Sequence, residues 1–191
     1  MNGYPFFLGG ITIPQVNTKK GYDCVLDSPL GRLGVRFRDE RVTRLDYADP
    51  AVPLKAATTA FGRQVTSQLQ AFFTHPEHRF TLPLDMQGTV FQCRVWNALM
   101  QIPAGETLTY GELAARLCSG ARAVGNACRR NPVSIIVPCH RVVAAAGIGG
   151  YSGSTGGRKL DRKHWLLAHE GIVGLALKKQ AEAPSYRVTS K

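Results

Sequence analysis

The chain has 191 residues, of which 44% are hydrophobic and 19% charged, a balance that suits one large or two small globular domains and excludes a disordered or fibrous polypeptide. No apolar run approaches the roughly 20 residues a membrane helix needs, and MNGYPFFLGGITIP lacks the basic start of a secretory leader. Lys and Arg number 24 against 13 Asp and Glu, so the net charge is +11; this points to a polyanionic partner such as nucleic acid, although a merely basic surface reads the same way.

Residues 1–20 read as an N-terminal extension. From Tyr22 onward, YDCVLDSP, LGRLGVRFR and VTRLDYA have strand character and are separated by the turn signals SPLG and DER. In LKAATTAFGRQVTSQLQAFF, Phe61, Val65, Leu69 and Phe72 recur at helical spacing, and FTLPLDM reads as a further short strand. Residues 21–87 thus form a small α/β unit.

A second unit, residues 88–172, opens with Thr89 and Gln92 as a capping box before a helix that puts Phe91, Val95 and Leu99 on one face. Thr109 and Glu112 repeat the device before YGELAARL. After Ser119-Gly120, ARAVGNACRR reads as another helix, ending at Asn131-Pro132. Two short helices joined by a glycine-containing turn, the second ending in arginines, have the form of a helix-turn-helix. Ala121, Ala123, Gly125 and Ala127 permit close approach to a neighbouring helix or to a groove. Core packing accounts for them by itself; Arg122, Arg129 and Arg130 add weight to DNA. Between Tyr110 and Glu170 there are nine Lys or Arg and three Asp or Glu, so much of the positive charge sits in this unit.

GIGGYSGSTGG holds six glycines in eleven residues. No Gly-Lys-Ser/Thr follows and the dinucleotide fingerprint is absent, so a mobile loop over a site is expected rather than a phosphate cradle. RKLDRKHWLLAHEG reads as a helix stopped by Gly171, and residues 173–191 as a tail. The five cysteines (Cys24, Cys93, Cys118, Cys128, Cys139) are odd in number and irregularly spaced, which favours a reducing compartment. No C-x-x-C pair is present, and His75 and His78 have no cysteine near them. No metal and no cofactor are expected.

One segment, IIVPCHRV, sets a thiol beside an imidazole at the exit of an apolar run. A thiol is only slightly ionised at neutral pH, and an imidazole that takes its proton makes it a strong nucleophile. Neighbouring side chains on an extended segment point to opposite faces, so direct proton transfer requires a sharp turn after Pro138 or a relaying water. The imidazole also needs an orienting carboxylate, for which Glu170 is a candidate. Spacing alone leaves an inert buried cysteine and a nucleophile on equal terms.

NPVSIIVPCHRVV, preceded by GTVFQCRVWNALMQIPAGETLTYGELA and followed by GYSG and RKHWLLAHEG, resembles the O6-alkylguanine-DNA alkyltransferases, the methylated-DNA–protein-cysteine methyltransferases. The resemblance is dense from about Gly88 to Gly171 and looser over 22–86, where DSPLGRLGV fits. It implies an α+β fold, with a small RNase H-like α/β domain followed by a winged helix-turn-helix-like domain that binds DNA and carries the chemistry. It also implies direct-reversal DNA repair: Cys139 takes the alkyl group from O6-alkylguanine, and less well from O4-alkylthymine, in a single irreversible turnover. By the same resemblance His140 is the base acting through a water, Glu170 orients it and Asn131 holds the nucleophile's turn. Tyr110 donates a proton to the leaving guanine and lies near a phosphate, while Lys163 polarises the site. The backbone at Val142, Tyr151 and Ser152 reads a flipped base. Arg122 fills the place it leaves in the duplex, with Ala123, Gly125, Ala127 and Arg129 on the DNA face.

The implied partner is double-stranded DNA containing O6-alkylguanine, bound by a monomer, with cooperativity on DNA left open and no membrane contact. The implied location is cytoplasmic, at the nucleoid in a bacterium, or nuclear in a eukaryote. The chain departs from the family between Tyr151 and RKHWLL, where SGSTGGRKLD is several residues longer and borders the base pocket. Lesion-binding relatives that do no chemistry lack the cysteine of PCHR, and fused regulators carry an added cysteine-rich zinc domain. A cysteine hydrolase requires an oxyanion-hole motif. This chain has the cysteine and neither of the other two features.

Overall fold

The structure, a computed structural model, describes residues 21–173; the expected N-terminal extension and almost all of the expected tail lie outside the described residues. Three antiparallel strands come first, β1 (Cys24–Leu26), β2 (Leu33–Arg38) and β3 (Arg41–Tyr47), in the order β1-β2-β3. Asp39 and Glu40 join β2 to β3 with φ of 49° and 52°, the left-handed pair that a two-residue hairpin turn demands. Helix α1 (Ala60–Thr74) covers this sheet and buries Phe61, Val65, Leu69 and Phe72, the face the spacing predicts. It begins at Ala60, inside the segment that starts at Leu54, because the Thr59 side chain accepts from the Gly62 N–H, while Lys55 is drawn into a bridge with Val25.

FTLPLDM does not form the expected strand. The Val42 N–H donates to the Pro83 carbonyl and the Asp85 N–H to the Val42 carbonyl, giving one bridge at Leu84. Pro83 has no N–H with which to extend a ladder.

The second half contains α2 (Val90–Leu99), β4 (Leu108–Thr109), α3 (Tyr110–Arg116), α4 (Ala121–Arg129), a 3-10 turn (Cys139–Arg141), β5 (Val142–Val143) and α5 (Gly157–His169). Both expected capping boxes form, Thr89 with Gln92 and Thr109 with Glu112. Val95 and Leu99 of α2 are buried and Phe91 is half-buried; Trp96 lies beside them, and its indole N–H donates to the Ala127 carbonyl at 2.9 Å, fixing α2 to α4. The parallel pairing of β4 with β5 (Leu108 to Val142, Thr109 to Val143) sets the start of α3 beside the chain leaving the 3-10 turn. A single apolar core runs from Cys24 in β1 to Leu166 in α5. The mixed architecture is the expected α+β class. Among the described residues no helix is long and apolar enough to cross a membrane.

Candidate active site

The chain does turn sharply after Pro138. Cys139, His140 and Arg141 form one 3-10 turn, with the Cys139 N–H donating to the Val137 carbonyl at 2.8 Å and the Arg141 N–H to that of Pro138 at 3.0 Å. The segment before it is strained: Ile135 is buried with φ of 75°, a conformation β-branched residues rarely adopt. Asn131 holds this segment in place. Its side-chain oxygen accepts from the Val133 N–H at 3.0 Å, and its Nδ2 donates to the Val137 carbonyl at 2.8 Å and to the Cys139 sulfur at 3.3 Å. Asn131 thus ties to the turn that contains Cys139, where the resemblance places it.

His140 is wholly buried, and its Nε2 lies 2.8 Å from Glu170 Oε1. Beside a carboxylate, Nε2 carries the proton, so Nδ1 keeps a free lone pair. Nδ1 is buried with no hydrogen-bond partner among the described residues. Burial pushes the imidazole pKa down, against the pull of Glu170. Burial also raises that of Glu170, but hydrogen bonds from His140 and Arg141 outweigh it and hold the carboxyl at about 2. Arg141 clasps Glu170 with Nε on Oε2 and Nη2 on Oε1, both at 2.9 Å, and also donates to the Ile102 carbonyl. Sequence reasoning missed Arg141: in a basic chain it reads as one more surface charge, and nothing in the spacing pairs it with a carboxylate at the far end of α5.

Burial pushes the Cys139 thiol pKa up, opposed by the Asn131 hydrogen bond and the Lys163 charge. Thiol and imidazole therefore both rest neutral, so the sulfur becomes nucleophilic only as its proton leaves. Lys163 is itself buried, which lowers its pKa to about 8; its ammonium donates to the Val142 carbonyl at 2.6 Å and the Gly150 carbonyl at 3.1 Å. It thereby staples the glycine-rich loop to β5. Val142 is buried, and its carbonyl is the one Lys163 holds.

A cavity of about 310 Å³ opens above the sulfur, lined by Tyr110, Cys128, Arg129, Cys139 and the loop from Gly150 to Thr155. The Tyr110 hydroxyl donates to the Gly150 carbonyl at 3.2 Å, and burial raises its pKa, so the phenol keeps its proton. The loop lies over the site as expected. Tyr151 and Ser154 exchange both backbone hydrogen bonds around Ser152 (φ 49°) and Gly153 (φ 78°), and Lys159 donates to the Ser152 carbonyl. A side chain at Gly153 would strike Arg129, so the loop packs against α4 with no room to spare.

Arg122, Asn126 and Arg129 are exposed on α4 and Arg130 just past its end, with Ala123 and Gly125 half-buried between them. Ala127 does not belong to this face. It is buried against α2, where its carbonyl takes the Trp96 hydrogen bond, because its position in the helical repeat falls on the same side as Val124 and Cys128. Among the described residues no group of three or more His, Cys, Asp or Glu is arranged to hold a metal ion.

A buried thiol, an imidazole held by a carboxylate and an exposed basic helix thus lie around one cavity. Residues 90–172 match the family model described as 6-O-methylguanine DNA methyltransferase, DNA binding domain. A methylated-DNA–protein-cysteine methyltransferase of Mycolicibacterium paratuberculosis is 44% identical over 153 residues, covering 76% of this chain and 89% of the relative. The crystal structure of Mycobacterium tuberculosis O6-methylguanine methyltransferase superposes with a TM-score of 0.65 at 37% identity, covering 80% of this chain and 93% of that one. That of OGT from the same organism in complex with DNA gives 0.64 at 38%, covering 78% and 92%.

Proposed function

Because the chain belongs to the methylated-DNA–protein-cysteine methyltransferases, a family that repairs alkylated DNA, we propose that Cys139 accepts the alkyl group of O6-alkylguanine in double-stranded DNA and keeps it, so that each molecule reacts once. The observation that carries this reading is a buried thiol, Cys139, followed in the same 3-10 turn by a His140 whose Nε2 is held by Glu170 and whose Nδ1 is left as an acceptor. A water between Sγ and Nδ1 relays the thiol proton to the imidazole. The sulfur attacks the alkyl carbon in line with the departing O6; the S–C bond forms as the C–O bond breaks. Imidazolium forms between Glu170 and the relay, and Arg141 keeps Glu170 ionised to stabilise it. Tyr110, a protonated phenol at the cavity wall, releases the Gly150 carbonyl and gives its proton to guanine as it leaves, and the proton held by the imidazolium then restores the phenol through solvent. The product is a neutral thioether.

Inside a duplex, O6 of guanine cannot reach a buried sulfur, so the nucleotide turns out into the cavity. The exposed face of α4 enters the minor groove, where Ala123 and Gly125 permit close approach and Arg122 fills the vacated stack. Arg129 and the basic start of α5 add phosphate contacts, which makes the affinity salt-dependent. The backbone of Tyr151 and Ser152 at the cavity reads the guanine edge; the Val142 carbonyl can share in this only through the lone pair that Lys163 leaves free.

The test is the intact mass of the protein after incubation with a duplex carrying one O6-methylguanine, followed by peptide mapping. A gain of one methylene on the Cys139 peptide is expected. Tight lesion binding with unchanged mass would identify a lesion-recognition protein with an idle thiol.

A further inference from the structure

The stretch SGSTGGRKLD, several residues longer than the family pattern, supplies part of the wall of the Cys139 cavity. Ser154 and Thr155 line it beside Tyr151 and Ser152, the two loop residues to which the resemblance gives a role. The Thr155 methyl, Cγ2, lies 3.7 Å from the point where a side chain at Gly150 would begin. Its bulk therefore stands next to the turn that Tyr110 and Lys163 hold by the Gly150 carbonyl. A wall selects by size only if it cannot yield, and this one is braced at several points. Tyr151 and Ser154 exchange both backbone hydrogen bonds, and the Ser154 hydroxyl donates to the Gly156 carbonyl at 2.8 Å. Lys159, from the same long stretch, donates to the Ser152 carbonyl at 3.1 Å. Towards the amino-terminal sheet, the Tyr151 hydroxyl lies 3.1 Å from that of Tyr47, whose ring is covered by the Arg162 guanidinium. Towards α4, a Cβ at Gly153 would lie 2.6 Å from Arg129 Nε. The loop has little freedom to swing away from a large adduct.

We propose that Thr155 is a specificity-determining residue: from its braced loop it limits the size of the O6 substituent that the cavity accepts, so that methyl is transferred in preference to longer chains such as butyl. Every O6-alkylguanine presents the same purine, so discrimination among them falls to the walls that meet the substituent. The cavity, at about 310 Å³, is at the lower end of the about 300–1,000 Å³ that ligand pockets span, and the volume taken by one wall residue matters. A single methylene in a close-fitting pocket changes a rate by about 10- to 200-fold. A wall of fixed backbone leaves that cost with the substrate, because it cannot relax to make room. The Gly153 contact with Arg129 and the Lys159 tie to Ser152 are what keep this backbone fixed.

The choice of substrate rests on the alkyl-transfer reading, whereas the size limit does not, and the test separates the two. The full chain is incubated with duplexes carrying one O6-methylguanine or one O6-butylguanine, and the single-turnover rates are taken as a ratio. Thr155→Ala removes the methyl and the hydroxyl and keeps Cβ. It is expected to raise the butyl-to-methyl ratio about tenfold. Thr155→Val, which has the same shape as threonine, is expected to keep the parent ratio. The Cys139 peptide is also labelled with iodoacetamide and with its N-benzyl derivative, reagents that need neither DNA nor alkyl transfer. Thr155→Ala is expected to favour the bulkier reagent here too. An unmoved butyl-to-methyl ratio, or a Thr155→Val variant that behaves as Thr155→Ala does, would overturn the assignment. A shifted labelling ratio in a protein that transfers neither alkyl group would leave Thr155 as the size-limiting wall and remove the alkyl-transfer reading.

Discussion

The 3-10 turn of Cys139–Arg141 and the exposed face of α4 lie on either side of one cavity and are built in opposite ways. In the turn Cys139 and His140 are buried, Arg141 is partly buried, and all three are held by named partners: Asn131 on the sulfur, Glu170 on His140 and Arg141, Arg141 on Ile102. On α4, Arg122 and Asn126 stand in solvent around the small Ala123 and Gly125, with Arg130 just beyond its end. The difference teaches where each kind of error would be felt. A change in the turn disturbs reactivity and stability together, because unpaired buried polar groups are costly. On the proposed reading, a change at an exposed charge of α4 weakens attraction to phosphate and leaves the fold alone, because exposed charges contribute little to stability.

The sharpest break of this contrast is Cys139→Ala. It is expected to reduce methyl transfer to background while duplex affinity, read by fluorescence anisotropy, stays nearly intact. Equal loss of both would make Cys139 a structural residue.

Next in size is Glu170→Gln, which leaves Arg141 buried without its carboxylate and His140 without its charge partner. Urea unfolding at pH 7 is expected to show a loss of about 3–5 kcal/mol. The same pair dictates the response to acid. The Glu170 carboxyl is held at about 2, below its unfolded value, and the His140 pKa is also lowered by burial. Their contribution is complete above the unfolded histidine value of about 6.5 and falls as pH drops, first through His140 and then from about 4.3 towards 2 through Glu170. Unfolding curves between pH 7 and pH 2 check this; a Glu170→Gln variant with the acid sensitivity of the parent would contradict it.

Arg122→Ala tests the other side of the cavity. It is expected to slow repair of a duplex lesion about tenfold or more, since unstacking a base costs a few kcal/mol, and to leave reaction with free O6-benzylguanine unchanged. Equal slowing of both substrates would remove the base-flipping role. The smallest effect sharpens the comparison from within the pocket: methylating Cys139 adds atoms to a packed wall and is expected to destabilise the fold by about 1–3 kcal/mol, seen as a lower melting temperature. An unchanged melting curve would mean the cavity absorbs the product.

Local signals carried much of this molecule. Thr89 with Gln92 and Thr109 with Glu112 start their helices as read, because a capping box is satisfied within four residues. Phe61, Val65, Leu69 and Phe72 face the core because helical spacing alone puts them on one side. The PCHR segment, through its resemblance, pointed to its own chemistry and to Asn131 and Glu170. Tertiary structure decided the rest, since those contacts join residues far apart in the chain. Pro83 reduced an expected strand to one bridge, and the packing of α4 on α2 turned Ala127 away from the exposed face. Arg141 became the clasp of Glu170 and Tyr47 came to touch Tyr151. A pattern of side chains specifies which face of an element is apolar, whereas the partner of a buried polar group is chosen only when the elements close on one another and water is excluded.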